Sequence, residues 1–433
     1  MYFPGINIVA LSLAIVRSSG FLTIPTAQSR SSHNYKIVLY DERFRRSSPD
    51  NSRPLNLTPG AIEFYSGIGG NRVALEAVVE KRGAGSDSGG VAVVKSYEIN
   101  AVANAVYEHN FPGARVTRLS IEHLSGEDVD GAADVWLLSP PCQPFCRIGK
   151  QMDIEDPRAF SLMHLLSLLE EIAIPPSHFF LENVRGFEGS RAHERLIEVL
   201  SGRGYHVEQY LLSPVQLGIP NTRLRYYCLA TRRGNGMDGH VAAMEHSPPF
   251  QVLQNAVQSR GVSLRTLSEY LDLSLAQKDV IPLLLSPKAA GHANPSLRFD
   301  VVTLRSTETT TFTKGYGKHA GRAGPVILLS DDGTRRVSED DLGRFPNGLN
   351  LGPAGRELRW FSDREMLRLH GFPEKFGFPP GVTLRQRFGL IGNSVNVDVV
   401  ALLLRRLLFR EEALKQEMVV EDGGINVAAA VLD

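Results

Sequence analysis

A doubly wound α/β sheet is the fold expected of this chain. Short strand-like apolar segments alternate with apolar-faced helical segments from residue 61 to residue 230. The first strand runs directly into a glycine-rich turn and a helix, the unit from which parallel sheets are built. The composition, 42% hydrophobic and 22% charged, is that of an ordinary globular chain with enough length to build a core.

Residues 61–65 read as the first strand, 66–70 as the turn, and 72–81 as a helix with Val73, Leu75, Ala77, Val78 and Val79 on its apolar side. A Gly- and Ser-rich turn over 83–90 leads to a second strand, 91–97, which ends at Glu98. A helix near 101–109, a strand over 135–138 and an apolar helix around 159–172 follow. Further strands are expected at 178–181, 205–212 and 225–230. The rhythm breaks between about 232 and 356, where 331–341 is acidic and turn-rich and reads as an insertion. Ser362-Asp363-Arg364-Glu365 has the capping-box spacing and starts a helix leading to His370-Gly371-Phe372-Pro373. A last helix is expected over 395–409, with a frayed tail beyond Glu411.

The first residues behave differently. An apolar run over 6–16 has signal-peptide length, but no Lys or Arg precedes it and Arg17-Ser18-Ser19 is not a small-x-small cleavage site. The run is too short to span a bilayer as a helix. Residues 1–57 are therefore expected to be a disordered extension, rich in Ser and Arg.

Charge and cysteine usage narrow the class. Lys+Arg 47 equals Asp+Glu 47, which argues against coating nucleic acid or an acidic membrane through bulk charge but leaves room for a local basic groove. Three cysteines exclude a disulfide scaffold and a four-cysteine zinc site. The histidines show no ligand spacing, so no metal is expected.

In sheets of this kind the ligand lies beyond the carboxyl ends of the strands, where the chemical motifs fall. Ser66-Gly67-Ile68-Gly69-Gly70 would let a ligand approach the backbone, although a tight strand-to-helix turn would use the same residues. Glu98 could accept hydrogen bonds from ribose hydroxyls or simply begin a helix. Ser139-Pro140-Pro141-Cys142-Gln143-Pro144-Phe145 holds a thiol on a loop stiffened by three prolines, a placement suited to attack. Cys146 and Cys228 read instead as core or inert thiols. Glu182-Asn183-Val184 would bring a carboxyl out of a buried strand, as an acid of raised pKa or as an ion-paired cap. Arg223 and Arg225 alternate on one face of an incipient strand and could both point into the crevice.

These motifs, in this order and with Arg387-Phe388-Gly389-Leu390-Ile391-Gly392-Asn393-Ser394-Val395 near the end, resemble the cytosine-5 methyltransferases. The resemblance covers about residues 61–410. Within that family the chain looks most like the DNA methyltransferase 2 type, which methylates tRNA. Pro144-Phe145-Cys146-Arg147-Ile148-Gly149, Leu217-Gly218-Ile219-Pro220-Asn221 and Phe312-Thr313-Lys314-Gly315-Tyr316-Gly317 carry that likeness. One departure is Thr311-Phe312-Thr313, where that branch usually carries Cys-Phe-Thr.

The resemblance implies a class I S-adenosylmethionine-dependent methyltransferase with a Rossmann-like doubly wound sheet and a smaller target-recognition domain. Residues 58–231 would form the catalytic, cofactor-binding domain, 232–356 the recognition domain, and 357–410 a return to the first domain, with 411–433 as tail. Cys142 would add to cytosine C6, Glu182 would act at N3 and the exocyclic amine, and Arg223 and Arg225 would hold the base edge or a phosphate. S-adenosyl-L-methionine would lie against Phe64, Ser66, Gly67, Ile68, Gly69 and Gly70. Glu98 would hold its ribose, Ile121 and Glu122 would flank the adenine, and Ser139, Asn393 and Ser394 would complete the pocket. Lys314, Tyr316 and Lys318 would touch substrate phosphates and stack a base.

The expected activity is methylation of cytosine C5 in tRNA, in the anticodon loop of aspartate tRNA, by a monomer with no membrane partner. The cytoplasm, and also the nucleus, is the expected location. A DNA cytosine-5 methyltransferase would use the same residues, and DNA could be a minor substrate. A binder without turnover would have no need of Cys142, Glu182, Arg223 and Arg225 together. A nicotinamide oxidoreductase would have no use for Pro-Pro-Cys with Glu-Asn-Val.

Overall fold

β1 (Gly60–Phe64) is buried along its whole length and pairs in parallel with β2 (Ala92–Tyr97) and β4 (Val135–Leu138). β3 (Val116–Thr117) joins β2, and β5 (His178–Val184) joins β4, again in parallel. β7 (Arg225–Arg232) then lies antiparallel between β5 and β6 (Tyr205–Leu212). The order is therefore β3-β2-β1-β4-β5-β7-β6, and its direction of growth reverses between β1 and β4. That reversal opens a crevice at the carboxyl ends of the two central strands. The computed structural model describes residues 60–83, 91–114, 116–145, 152–232, 264–272, 274–275, 277–285, 300–318, 324–328 and 358–409. All of them belong to the contact unit Asn56–Asp433.

Alternation along the strands feeds two core layers. Ile62, Phe64, Trp136, Leu138, Phe179, Leu181, Tyr226 and Cys228 pack with α3 (Gly126–Val129), α4 (Phe160–Glu171) and α5 (Arg191–Gly202). Ala61, Val135, Leu137, Phe180, Tyr227 and Leu229 pack on the opposite side with α1 (Gly70–Gly83), α2 (Ala101–Asn110) and the last helix, α9 (Val397–Leu408). Helices on both faces make the sheet doubly wound, as the sequence pattern implied. α1 buries Ala74, Leu75 and Val78, while Val73, Ala77 and Val79 are half-buried at its flanks.

The same core continues under a second, three-stranded sheet, β10-β9-β8, built from β8 (Val301–Val302), β9 (Val326–Leu328) and β10 (Leu358–Arg359). A short helix, α6 (Gln277–Val280), precedes this sheet in the chain. α7 (Asp363–Leu369) starts at the expected capping box, with the Ser362 hydroxyl accepting from the Glu365 amide. Glu365 also pairs with Arg359 at 2.7 Å, both side chains buried. The stretch Leu384–Leu408 is long and apolar enough to cross a membrane by composition alone. It is two helices, however, α8 (Leu384–Asn393) and α9, separated at Ser394, Val395 and Asn396, and each buries a face in the core.

Several elements differ from the sequence expectation, since α3, α8, β3 and the second sheet lie outside the expected elements. β5 runs through Glu182, Asn183 and Val184 instead of stopping at Leu181. The parallel ladder with β4 does end at Leu138 opposite Leu181, but β7 continues the pairing with Tyr227, Tyr226 and Arg225. β4 stops because Ser139 is followed by two prolines, which have no amide hydrogen to donate. α5 also lay outside the expected elements, although Ser190 caps it through the His193 amide at 3.1 Å. Residues 1–57, Cys146 to Gly149, most of the 83–90 turn, the 331–341 insertion, much of 232–356 and the tail from 411 lie outside the described residues.

Candidate active site

At the end of β1 the chain turns sharply. Tyr65 adopts φ 57°, Gly67 φ 52° and Gly69 φ 91° before α1 begins. The Ser66 amide donates to the Tyr97 carbonyl at 3.0 Å and the Gly69 amide to the Ser66 carbonyl at 2.8 Å. Both sequence readings of this loop describe part of it. A Cβ on Gly69 would lie 2.5 Å from the Phe111 ring, so that glycine serves the turn and its packing. Gly67 meets no atom closer than 4.0 Å and leaves its side of the loop open.

Glu98 follows β2 and is half-buried. Its carboxylate accepts from the Gly67 amide at 3.0 Å and the Asn100 amide at 2.8 Å, fixing it across the mouth of the glycine loop. Ile99 beside it is 71% exposed, an apolar side chain presented to solvent at the same mouth. Ser139, at the end of β4, accepts from Asn71 Nδ2 at 3.0 Å, tying the first turn of α1 to the cysteine loop. Ser394 closes the other side, its Oγ 2.9 Å from where a Cβ on Gly70 would stand. Asn393 is exposed next to it. Ser66 Oγ and Asn71 Oδ1 are buried at this loop with no partner among the described residues. Orphaned acceptors and donors, a carboxylate and an exposed apolar residue fit a ligand that is polar at one end and flat at the other.

One residue expected in the pocket is placed differently by its local geometry. Phe64 is wholly buried and stacks on Tyr97 with ring centroids 5.3 Å apart, so it supports the loop from within the core and does not line it. Tyr65 is half-buried against the same core layer, because its positive φ breaks the strand alternation. Its hydroxyl donates to Ser161 Oγ at 3.0 Å, and Glu122 lies close enough to raise its pKa together with burial, the larger cause. A positive φ at a tyrosine leaves no mark in a sequence pattern, whereas an isoleucine between Glu98 and Asn100 could have drawn attention. Ile121 is buried in a short 3₁₀ turn after β3, and Glu122 is exposed.

The Cys142 loop is anchored from both ends. Phe145 inserts edge-on against Phe187 at 4.9 Å, and Asn183 Nδ2 donates to the Pro140 carbonyl at 3.3 Å. Cys142 is half-buried, so the thiol sits at the boundary of protein and solvent. On β5, whose Asn183 ties down the cysteine loop, Glu182 is 9% exposed and lies 3.4 Å from Arg225 Nε. Burial raises the Glu182 pKa, with Arg225 and then Arg223 opposing the rise. Cys142, Glu182 and Arg225 are thus gathered at the carboxyl ends of β4 and β5. Cys228 is a different thiol: buried in β7, with burial pushing its pKa up to about 12.

Arg223 stays within electrostatic reach of Arg225, Glu182 and Cys142, as expected, but its guanidinium is closed in. It is 3% exposed, and its guanidinium donates to the carbonyls of Phe312, Gly392 and Ser394 at 3.0, 3.2 and 2.5 Å. It therefore does not share an open face with Arg225, because residues 221–224 form a loop and not an extended strand. Tyr316 is a second correction. It is 1% exposed, its hydroxyl donates to the Pro325 carbonyl at 2.8 Å and accepts from the Phe361 amide at 2.9 Å, and Phe312, Trp360 and Phe388 surround its ring. No base can stack on it. Lys314 and Lys318, on either side, are exposed.

Comparison with known proteins agrees with this architecture. A tRNA (cytosine(38)-C(5))-methyltransferase of Mus musculus is 34% identical, aligned over 79% of this chain and 92% of its own length. A DNA (cytosine-5)-methyltransferase of Dictyostelium discoideum is 33% identical over 81% of this chain and 94% of its own. Among solved structures, the Dnmt2 methyltransferase of S. pombe superposes with a TM-score of 0.65 at 29% identity, covering 81% of this chain and 98% of that one. Residues 60–408 match the profile described as C-5 cytosine-specific DNA methylase. By sequence profile, relatives and fold together, the chain belongs to the C-5 cytosine-specific DNA methylase family.

Proposed function

We propose that this protein transfers a methyl group from S-adenosylmethionine to C5 of cytosine in tRNA, at cytosine 38 in the anticodon loop of aspartate tRNA. The observation that carries the chemistry is the convergence of the Cys142 loop with the Glu182–Arg225 pair at the ends of β4 and β5. The tRNA substrate rests on the relatives, several of which carry the name tRNA (cytosine(38)-C(5))-methyltransferase.

Cytosine C5 is a weak nucleophile until C6 is attacked. The Cys142 thiolate forms the S–C6 bond and pushes the ring electrons toward N3 and C5. Burial favours the protonated form of Glu182, which donates to N3 as charge builds there. Arg225 keeps that carboxyl oriented and adds positive charge beside the base. S-adenosylmethionine, when bound, supplies the electrophilic methyl group. Loss of the C5 proton to a base then restores the ring, breaks the S–C6 bond and returns the thiolate. Ser66, Gly67, Ile68, Gly69 and Gly70 would form the cofactor cradle, with Glu98 placed to hold the ribose hydroxyls. Ile121 and Glu122 would flank the adenine, and Ser139, Asn393 and Ser394 would complete the rim. The target base must leave its stack, which costs least in a single-stranded loop. Residues 232–356, with Lys314 and Lys318 on their exposed surface, serve target recognition. Residues 58–231 and 357–410 form the catalytic domain.

The Dictyostelium discoideum relative named as a DNA (cytosine-5)-methyltransferase supports a second reading, with DNA as the substrate. Incubation with labelled S-adenosylmethionine and either tRNA or unmethylated duplex DNA separates the two. Label is expected in tRNA. Label in DNA alone would establish the second reading. The Cys142→Ala variant should transfer no methyl group, and surviving activity would remove Cys142 from the mechanism.

A further inference from the structure

Arg223 stands where three segments far apart in sequence meet. The loop carrying it pairs with the segment 309–313 through backbone and side chain. Thr222 donates its amide to the Thr309 carbonyl at 2.8 Å, and Thr311 Oγ1 donates to the Thr222 carbonyl at 2.6 Å. Asn221 Nδ2 donates to Thr309 Oγ1 at 3.0 Å. On its other side, the same segment rests on the end of α8, where a Cβ on Gly392 would lie 2.5 Å from the Thr313 carbonyl group. The Arg223 guanidinium closes the junction through the carbonyls of Phe312, Gly392 and Ser394.

Each of those carbonyls belongs to a segment with a role in the proposed reaction. Phe312 leads within two residues to Lys314, on the surface assigned to tRNA. Ser394 reaches across to Gly70 in the cofactor cradle. Arg225, two residues beyond Arg223, pairs with Glu182. A displacement of the recognition segment therefore cannot leave the cradle or the acid unmoved without breaking hydrogen bonds to a buried cation, which is costly in a dry interior.

We infer that Arg223 is a positioning residue that couples occupancy of the cofactor cradle to occupancy of the tRNA surface, and does not itself contact the base or a phosphate. The inference rests on the function proposed above. Linkage requires the coupling to be reciprocal: each ligand tightens the other by the same factor.

The test measures binding of S-adenosylhomocysteine to the full-length protein, with and without an unmodified aspartate tRNA transcript. The reverse titration closes the cycle. In the wild type, tRNA should tighten S-adenosylhomocysteine binding about fivefold or more. Arg223→Lys, which cannot reach three carbonyls with one ammonium, should bring the factor close to one. Gly392→Ala should do the same by forcing Thr313 off α8 while Arg223 remains, and it serves if the lysine variant does not fold. A wild-type factor near one, in protein that methylates tRNA, would overturn the coupling and leave the function standing. An Arg223→Lys variant with the wild-type factor would overturn the role of Arg223. Protein that neither binds nor methylates tRNA would refute the function itself.

Discussion

Glu63 and Tyr107 share a hydrogen bond of 2.9 Å directly beneath the glycine loop, and neither side chain touches solvent. The other carboxyl oxygen of Glu63 accepts the Arg72 amide at 3.3 Å, in the first turn of α1. Arg72 in turn lies over the Phe111 ring at 4.3 Å. The strand, both flanking helices and the loop thus meet at one carboxyl group. Burial pushes its pKa to about 8 from an ordinary value of 4.5, with Tyr107 and Arg72 opposing the rise.

That shift has a defined sign. The folded protein holds the Glu63 proton more tightly than the unfolded chain, so the contribution to stability is complete below about 4.5 and is lost as pH rises through about 8. The loss is on the order of 5 kcal/mol. Thermal denaturation should show a midpoint that falls between about pH 4.5 and 8 and levels off above, and Glu63→Gln should flatten that slope. Parallel curves for the two proteins would exclude Glu63 as the source.

Glu182 should leave its mark on the rate instead. Its raised pKa keeps more of it protonated near neutral pH than an exposed glutamate would be. If the protonated form donates to the base, the rate falls as pH rises through that pKa. Glu182→Gln should lower kcat about 10²- to 10⁴-fold and remove this alkaline limb, with tRNA affinity little changed. A pH–rate profile of unchanged shape would assign the limb to another group.

Tyr316 and its lysine neighbours should separate cleanly. Tyr316→Phe removes a hydroxyl that serves the Pro325 carbonyl and the Phe361 amide, and should cost about 1–3 kcal/mol in a denaturant titration. Its tRNA affinity should stay at the wild-type value. Lys314→Ala and Lys318→Ala should do the reverse, leaving stability intact and each lowering the salt slope of tRNA binding by about 0.7–0.9. A Tyr316→Phe variant with weakened tRNA binding but full stability would return Tyr316 to the substrate surface.

The contrast between these residues shows what the sequence carried. β4 and β6 lie where the pattern put them, because strand length and apolar run coincide there. Cys142 and Glu182 were legible because prolines and a strand end leave a local signature. Lys314-Gly315-Tyr316-Gly317-Lys318 looks like an interleaved binding strip, yet burial of Tyr316 depends on Trp360, Phe361 and Phe388, distant in sequence. Phe64 was misplaced in the pocket because nothing in the strand pattern shows that its side chain is wholly buried against Tyr97. Arg223 was the least readable, since its partners are carbonyls that every residue possesses.

The antiparallel course of β7 has a consequence for how such a protein changes its target. β7 begins at the crevice, where Arg225 faces Val184, and ends at the opposite rim, where Thr231 faces His178. The chain therefore departs for its recognition segment from the far side of the sheet and is tied back at Arg265, whose amide donates to the Gly218 carbonyl at 3.0 Å, and again at Thr309 and Thr311. Loop-closure cost rises slowly with length. Residues can be added or removed between β7 and Arg265 while Cys142 and Glu182 keep their places, so the reach of the recognition segment is adjustable separately from the chemistry it serves.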